Sequence, residues 1–308
     1  MILRKVKSKL RATLLLAAIV LICAAAIGGV FWYRSREVSP RELWKRLPAG
    51  DALVFFVDFD ALRRGGVMQL FDSAKAPEDP EYLRFVAKTG FNYKRDLDSV
   101  LGASGPTGWF ILARGRFDWK SLRSYTASEQ GACYDSLCRM TGSAPDRRIS
   151  FLPIQSGLMG LAVSKDDTAA LRLAKSGGGP DPQLPDAPLW VTLPPAILRG
   201  AQGLPDGTRP FARAVAQAES ITLAFAPEGR RFALKLTVNC RIDQDAYDAA
   251  SQLTRVTDML RKMIIEEHAQ ANPADLSGVL VSGRFWNTGN HAYGTWPIER
   301  VFVENMLK

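Results

Sequence analysis

Histidine is almost missing from this chain, with two in 308 residues, at 268 and 291. A hydrolase that moves protons through imidazole, or a zinc site built on paired histidines, needs them in spatial sets with serine, cysteine or carboxylate partners. His268 follows Glu266 and Glu267 on a predicted helix, with no second histidine four residues away. A cation near a helix C-terminus is its simpler role. His291 has no identifiable serine or cysteine partner. No Gly-x-Ser-x-Gly elbow occurs. The glycines at 102, 105 and 108 precede a predicted strand. A phosphate-cradling loop follows a strand and enters a helix through Gly-Lys-Ser/Thr, so these glycines read as a turn. No long basic run exists either. Net charge is +9, but Arg4, Lys5, Lys7, Lys9 and Arg11 supply much of the surplus before the first acidic residue, Glu37. A nucleic-acid module would concentrate its cations on one face, and none is expected here.

Charge is also absent from residues 12–33, and here the absence is informative. The 22 residues ATLLLAAIVLICAAAIGGVFWY would rise roughly 33 Å as a helix, enough to cross a hydrocarbon core. Five cations precede the stretch, which by the positive-inside bias places the N-terminus in the cytoplasm. Phe31, Trp32 and Tyr33 gather at the far end, where amphipathic rings favour the headgroup layer. The expectation is an uncleaved single-pass anchor with residues 37–308 outside the cytoplasm. A signal peptide cut near Ala24-Ala25-Ala26, or a lipoprotein signal ending at Cys23, would use the same residues and export the same part.

Four cysteines remain to be placed. Cys23 lies in the apolar span. Cys133 and Cys138 bracket Tyr-Asp-Ser-Leu between two short β-like runs, which suits a hairpin disulfide in an oxidising compartment. A redox-active pair would favour two intervening residues, not four. Cys240 ends a strand-like run and reads as a buried thiol.

Four segments follow from the pattern: residues 1–36, the basic tail and anchor; 37–178, a first α+β unit; 179–188, a linker; and 189–308, a second unit. The first unit opens with a capped helix at 39–47 and a buried strand at 52–59, after which Asp60 is placed to cap a helix. Further helices are expected from 79, from 118 to 128 and from 164 to 175, with strands at 109–113, 149–154 and 158–163. Residues 176–188 hold a Gly-Gly-Gly run and four prolines, which sustain neither helix nor strand. The second unit reads as a strand at 189–193, a helix from Pro210, a hairpin at 221–238, a helix at 244–269, a hairpin of 279–286 with 291–296, and a last helix at 298–307. Leu53, Leu62 and Arg63 match Leu189, Leu198 and Arg199 at an offset of 136, and Phe117-Asp118 resembles Ile242-Asp243. Two related units, each a mostly antiparallel sheet covered by helices, would explain both matches.

Two groups of residues are candidates for chemistry or binding. Asp58 and Asp60 close the first buried strand, and two carboxylates there could hold a divalent cation for a hydrolase or transferase. Against this, the same aspartates serve a helix cap and a solvated face. Trp286, Tyr293 and Trp296, with Phe285, lie close together in the last hairpin; pointing outward they would stack on sugars or grip a protein. Alternation along the strands sends only some of them to each face.

The phrase Leu47-Pro48-Ala49-Gly50-Asp51-Ala52-Leu53-Val54, shortly after the apolar span, resembles one in bacterial exported proteins of unknown function that carry duplicated α/β units. Gly115-Arg116-Phe117-Asp118 is similar to a short turn before a helix in such chains. The resemblance implies a bacterial envelope protein and supplies no activity and no functional residue; with the anchor, the expected location is the inner membrane. The reading carried forward is a non-catalytic binding or envelope-assembly module without a cofactor, its partner a protein or a cell-wall component.

Overall fold

The computed structural model describes residues 38–48, 50–72, 80–142, 147–175, 177, 183–194, 196, 208–229, 231–266 and 270–306. The described residues from Pro40 onward belong to one compact unit. The predicted anchor at 12–33 and His268 lie outside the described residues. Among the described residues no helix is long and apolar enough to cross a membrane.

The unit begins with α1 (Pro40–Trp44), β1 (Leu53–Asp58), α2 (Phe59–Arg64), α3 (Met68–Asp72), α4 (Pro80–Thr89) and α5 (Tyr93–Asp96). It continues with β2 (Leu97–Gly105), β3 (Gly108–Gly115), α6 (Trp119–Ser128), β4 (Ala132–Tyr134), β5 (Leu137–Thr141), β6 (Arg148–Gln155), β7 (Leu158–Ser164) and α7 (Leu171–Ala174). Then come β8 (Leu189–Leu193), α8 (Arg209–Ala214), β9 (Ser220–Glu228), β10 (Arg231–Asn239), α9 (Asp243–Glu266), α10 (Leu276–Val281), β11 (Arg284–Thr288), β12 (His291–Ile298) and α11 (Arg300–Met306).

The fold is α+β, and its strands join into one twelve-stranded antiparallel sheet in the order β11-β12-β10-β9-β8-β1-β2-β3-β7-β6-β5-β4. The expected pair of sheets is therefore continuous. The strand that opens each half, β1 or β8, is almost wholly apolar, and each pairs its otherwise open edge with the other, from Val54↔Thr192 to Val57↔Leu189. An unpaired apolar edge at that position would invite aggregation. Outward from this seam the halves run β1-β2-β3-β7-β6 and β8-β9-β10-β12-β11. Setting aside the β4–β5 hairpin, both place their strands in the order first, second, third, fifth, fourth.

Helices cover both faces of the first half. On one face α1 and α7 bury Phe56, Trp190, Leu101, Leu112 and Leu173, with Trp190 stacked on Phe56 at 5.6 Å between ring centres. On the other, α4 and α6 cover Phe151 and Leu161, while α2, α3, α8, α9 and α10 close the largest core, around Leu236, Val238, Leu253 and Trp296. In α9, Ala246, Ala249, Ala250, Leu253 and Thr257 are buried at helical spacing, while the exposed side mixes polar residues with Tyr247, Met259, Met263 and Ile265.

Several local expectations need correction. Gly102 lies within β2 rather than in a turn, because the Phe55 ring occupies the space a Cβ would take. Only the pair between β2 and β3, at 106–107, makes the turn. Residues 279–281 are the end of α10, not a strand: Asp275 caps that helix by accepting from the amides of Ser277 and Gly278. The strand starts only at Arg284. The helix expected over 164–175 is the single turn α7, preceded by an Asp166 side chain that accepts from the Thr168 amide.

Candidate functional site

Asp58 ends β1, and its carboxylate turns back to accept the Ala61 amide at 2.8 Å, so it is the N-cap of α2. The sequence assigns that role to Asp60, but the helix begins at Phe59, two residues too early for Asp60 to cap it. Asp60 sits in the first turn, where the dipole favours an acid, and pairs with Arg63 at 3.5 Å and Arg64 at 3.3 Å. Arg63 also reaches Asp98 and donates to the carbonyls of Lys94 and Leu97. The two aspartates thus face guanidinium and amide donors. Among the described residues no group of three or more His, Cys, Asp or Glu side chains is placed to hold a metal ion.

Cys133 and Cys138 are disulfide-bonded across the β4–β5 hairpin, where they are directly opposed in register. Cys240 is a buried free thiol, and burial raises its pKa. A buried thiol with a raised pKa holds little thiolate and is a poor nucleophile.

The aromatic group of the last hairpin divides by face. Along β12 the residues alternate strictly, with Ala292, Gly294, Trp296 and Ile298 buried and those between half-exposed. Trp296 packs edge-on against Phe285 at 5.1 Å and Phe211 at 6.2 Å in the core. It is part of the fold, not of a surface site. Trp286 and Tyr293 are directly paired in register and project to the opposite face. Their rings lie 5.8 Å apart at 22°, and Trp286 is 48% exposed. The His291 ring lies 6.1 Å from Tyr293 at 12°, so three near-parallel rings form a row. Considered in sequence only as a catalytic histidine lacking partners, His291 joins this row because it sits two residues from Tyr293 on the same strand.

Around the rings the register assembles a polar sheet face. One row across the strands reads Ser220, Asn239, His291, Thr288; the next Thr222, Thr237, Tyr293, Trp286; the third Ala224, Lys235, Thr295, Arg284. Asn239 donates to the Ser220 hydroxyl at 2.7 Å, and the hydroxyls of Thr192 and Thr222 share a hydrogen bond at 3.0 Å. Lys235, Arg284 and Thr288 are exposed. The face therefore offers aromatic surface, hydroxyl and amide groups and two cations on rigid strands.

No family model matches the chain, and no curated protein matches it. Three crystal forms of TP0453 are similar in structure. Form I has a TM-score of 0.47 and 11% identity, covering 88% of this chain and 99% of that one. Form III has a TM-score of 0.45 and 10% identity over 87% and 97% of the two chains. Form IV has 0.45 and 9% over 85% and 94%. At these values the likeness transfers no residue role.

Proposed function

We propose that the protein is a membrane-anchored, extracytoplasmic, non-catalytic envelope module that holds a glycan strand of the cell wall against the open face of β10, β12 and β11. The row of Trp286, Tyr293 and His291 carries this reading. Aromatic rings pack on the apolar C–H faces of sugars, while hydroxyl, amide and cationic neighbours suit the ring hydroxyls and acidic substituents. The metal-dependent hydrolase or transferase reading of Asp58 and Asp60 gains no support from their cap and ion-pair roles. The charge-free stretch at 12–33 supports the anchor, and the disulfide fits an oxidising compartment. The matched strand order of the halves supports a duplicated unit, as does the fact that β1 and β8 begin at Leu53 and Leu189, the pair matched in sequence.

Co-sedimentation of the detergent-solubilised protein with purified cell-wall sacculi tests the binding. Retention should fall about tenfold or more in Trp286→Ala with Tyr293→Ala, given that stacked aromatics dominate such contacts. Unchanged retention in a folded double variant refutes the reading, as does capture of a protein partner through this face with no wall binding. Topology is checked separately by a reporter fused after Lys308, which should be active only outside the cytoplasm.

A further inference from the structure

A chamber of about 270 Å³ lies between α4, α6 and the sheet in the first half, remote in sequence from the aromatic row. Phe85 comes to it from α4, Leu122 from α6, Phe151 from β6, and Met159 and Leu161 from β7. The lining is almost wholly apolar, and Leu122 and Phe151 belong to the buried cluster beneath it. Apolar chambers hold water poorly, so an apolar body that enters displaces little. Past Tyr125, Met140 and Ile149, which line both spaces, the chamber opens into a cleft of about 370 Å³.

The chemistry changes at that opening. The cleft adds Arg84, Arg147 and Glu129 to Glu81. Glu129 is bound to Lys88 at 2.8 Å, and that hydrogen bond holds its carboxyl below the usual range. Its charge is thus met from within the fold by Lys88 and, more weakly, by Arg84, while the exposed guanidiniums of Arg84 and Arg147 stand at the mouth. A guanidinium pairs a carboxylate or phosphate through two parallel hydrogen bonds. Met140 and Met159 give the walls side chains that adapt to the shape of a guest.

We propose that this chamber binds a small amphiphilic anion: one alkyl chain or ring carrying a single carboxylate or phosphate. Its body lies among Phe85, Leu122, Met159 and Leu161, and its head between Arg84 and Arg147. The chamber is small for a ligand pocket and suits a single alkyl chain or ring. Met140 lies two residues from Cys138 on β5, so the disulfide fastens the strand that forms the outer wall.

The test uses the full chain in nanodiscs, titrated calorimetrically with decanoate against empty nanodiscs. One saturable site is expected. Arg84→Glu with Arg147→Glu should weaken decanoate about tenfold or more, through loss of the paired charge, while decanol changes less than about threefold. Leu161→Trp, which fills the chamber, should weaken both ligands. Decanoate bound equally by all variants overturns the proposal. So does competition from phosphatidylglycerol in the disc, which would show that the site takes a membrane lipid instead. Because the arginine pair is at the surface, the test survives a failure of Leu161→Trp to fold, and neither variant touches Trp286 or Tyr293.

Discussion

Asp58 closes a strand and opens a helix with one side chain, which explains why two neighbouring aspartates differ in worth. Asp58→Ala removes the acceptor of the Ala61 amide and should cost about 1 kcal/mol, the usual value of an N-cap. Asp60→Ala removes ion pairs whose side chains are exposed or partly so and should cost less than about 0.5 kcal/mol. Denaturant midpoints of the two variants decide it, and equal losses would refute the assignment. Asp96 is the more demanding case. Its nearly buried carboxylate accepts from Arg95 at 2.8 and 2.9 Å, from the Asn92 amide at 2.9 Å and from Arg116 at 3.2 Å. The Arg95 hydrogen bonds foremost hold its pKa below the ordinary carboxylate value, against the opposing pull of burial. The unfolded chain then takes up the proton first as pH falls. The stabilisation is complete above the unfolded value of about 3.9 and is lost as pH drops through the lower folded one. Asp96→Asn should therefore be less stable than the parent at pH 7, with the gap narrower at pH 3, below the unfolded value. Urea midpoints at the two pH values measure it; a gap that widens in acid would contradict the assignment.

Among the elements, the β4–β5 hairpin is the most exposed to a single change. Its two short strands lie at the edge of the sheet, and the Cys133–Cys138 bond closes a small loop. Cys133→Ser with Cys138→Ser should cost about 2 kcal/mol on the chain-entropy account, with protection from hydrogen exchange lost first in β4 and β5. Loss spread evenly over the sheet would argue against a local role. This hairpin was legible because two cysteines and a tight turn leave few arrangements. So were β1, α6 and the β9–β10 hairpin, whose apolar runs, Asp118 cap and Gly229 are local signals. β2 was not, because Gly102 serves a ring from another strand. α10 was not, because Val279, Leu280 and Val281 favour a strand by type and only the Asp275 cap tips them to helix. The candidate site was half legible. The odd spacing of Tyr293 and Trp296 sends them to opposite faces, but which face is the core depends on α8 and α9 closing over Trp296. The setting of Asp58 and Asp60 was half legible for the same reason: Arg63 and Arg64 follow Asp60 in sequence, while Asp98 and the Lys94 and Leu97 carbonyls that engage Arg63 arrive from elsewhere.

Across the whole molecule, the two halves repeat one strand order and meet at β1 and β8. Neither half can bury that seam alone: Phe56 stacks on Trp190, and Trp44 of α1 lies 6.2 Å from the same indole. Trp190 and Val54 are among the most completely buried side chains on either side of the junction. The backbone ladder continues past the start of β8, where Asp58 donates its amide to the Pro188 carbonyl at 2.7 Å. A chain cut between the halves should therefore stay assembled. With a protease site placed in residues 178–182, the nicked protein is expected to elute as one species in gel filtration and to unfold in a single transition, because the seam couples the two cores. Trp190→Ala removes the largest shared side chain, at a cost of about 3–5 kcal/mol, and should let the nicked fragments separate. Fragments that part without that substitution would show that each half keeps its own core and that the continuous sheet contributes little to holding them together.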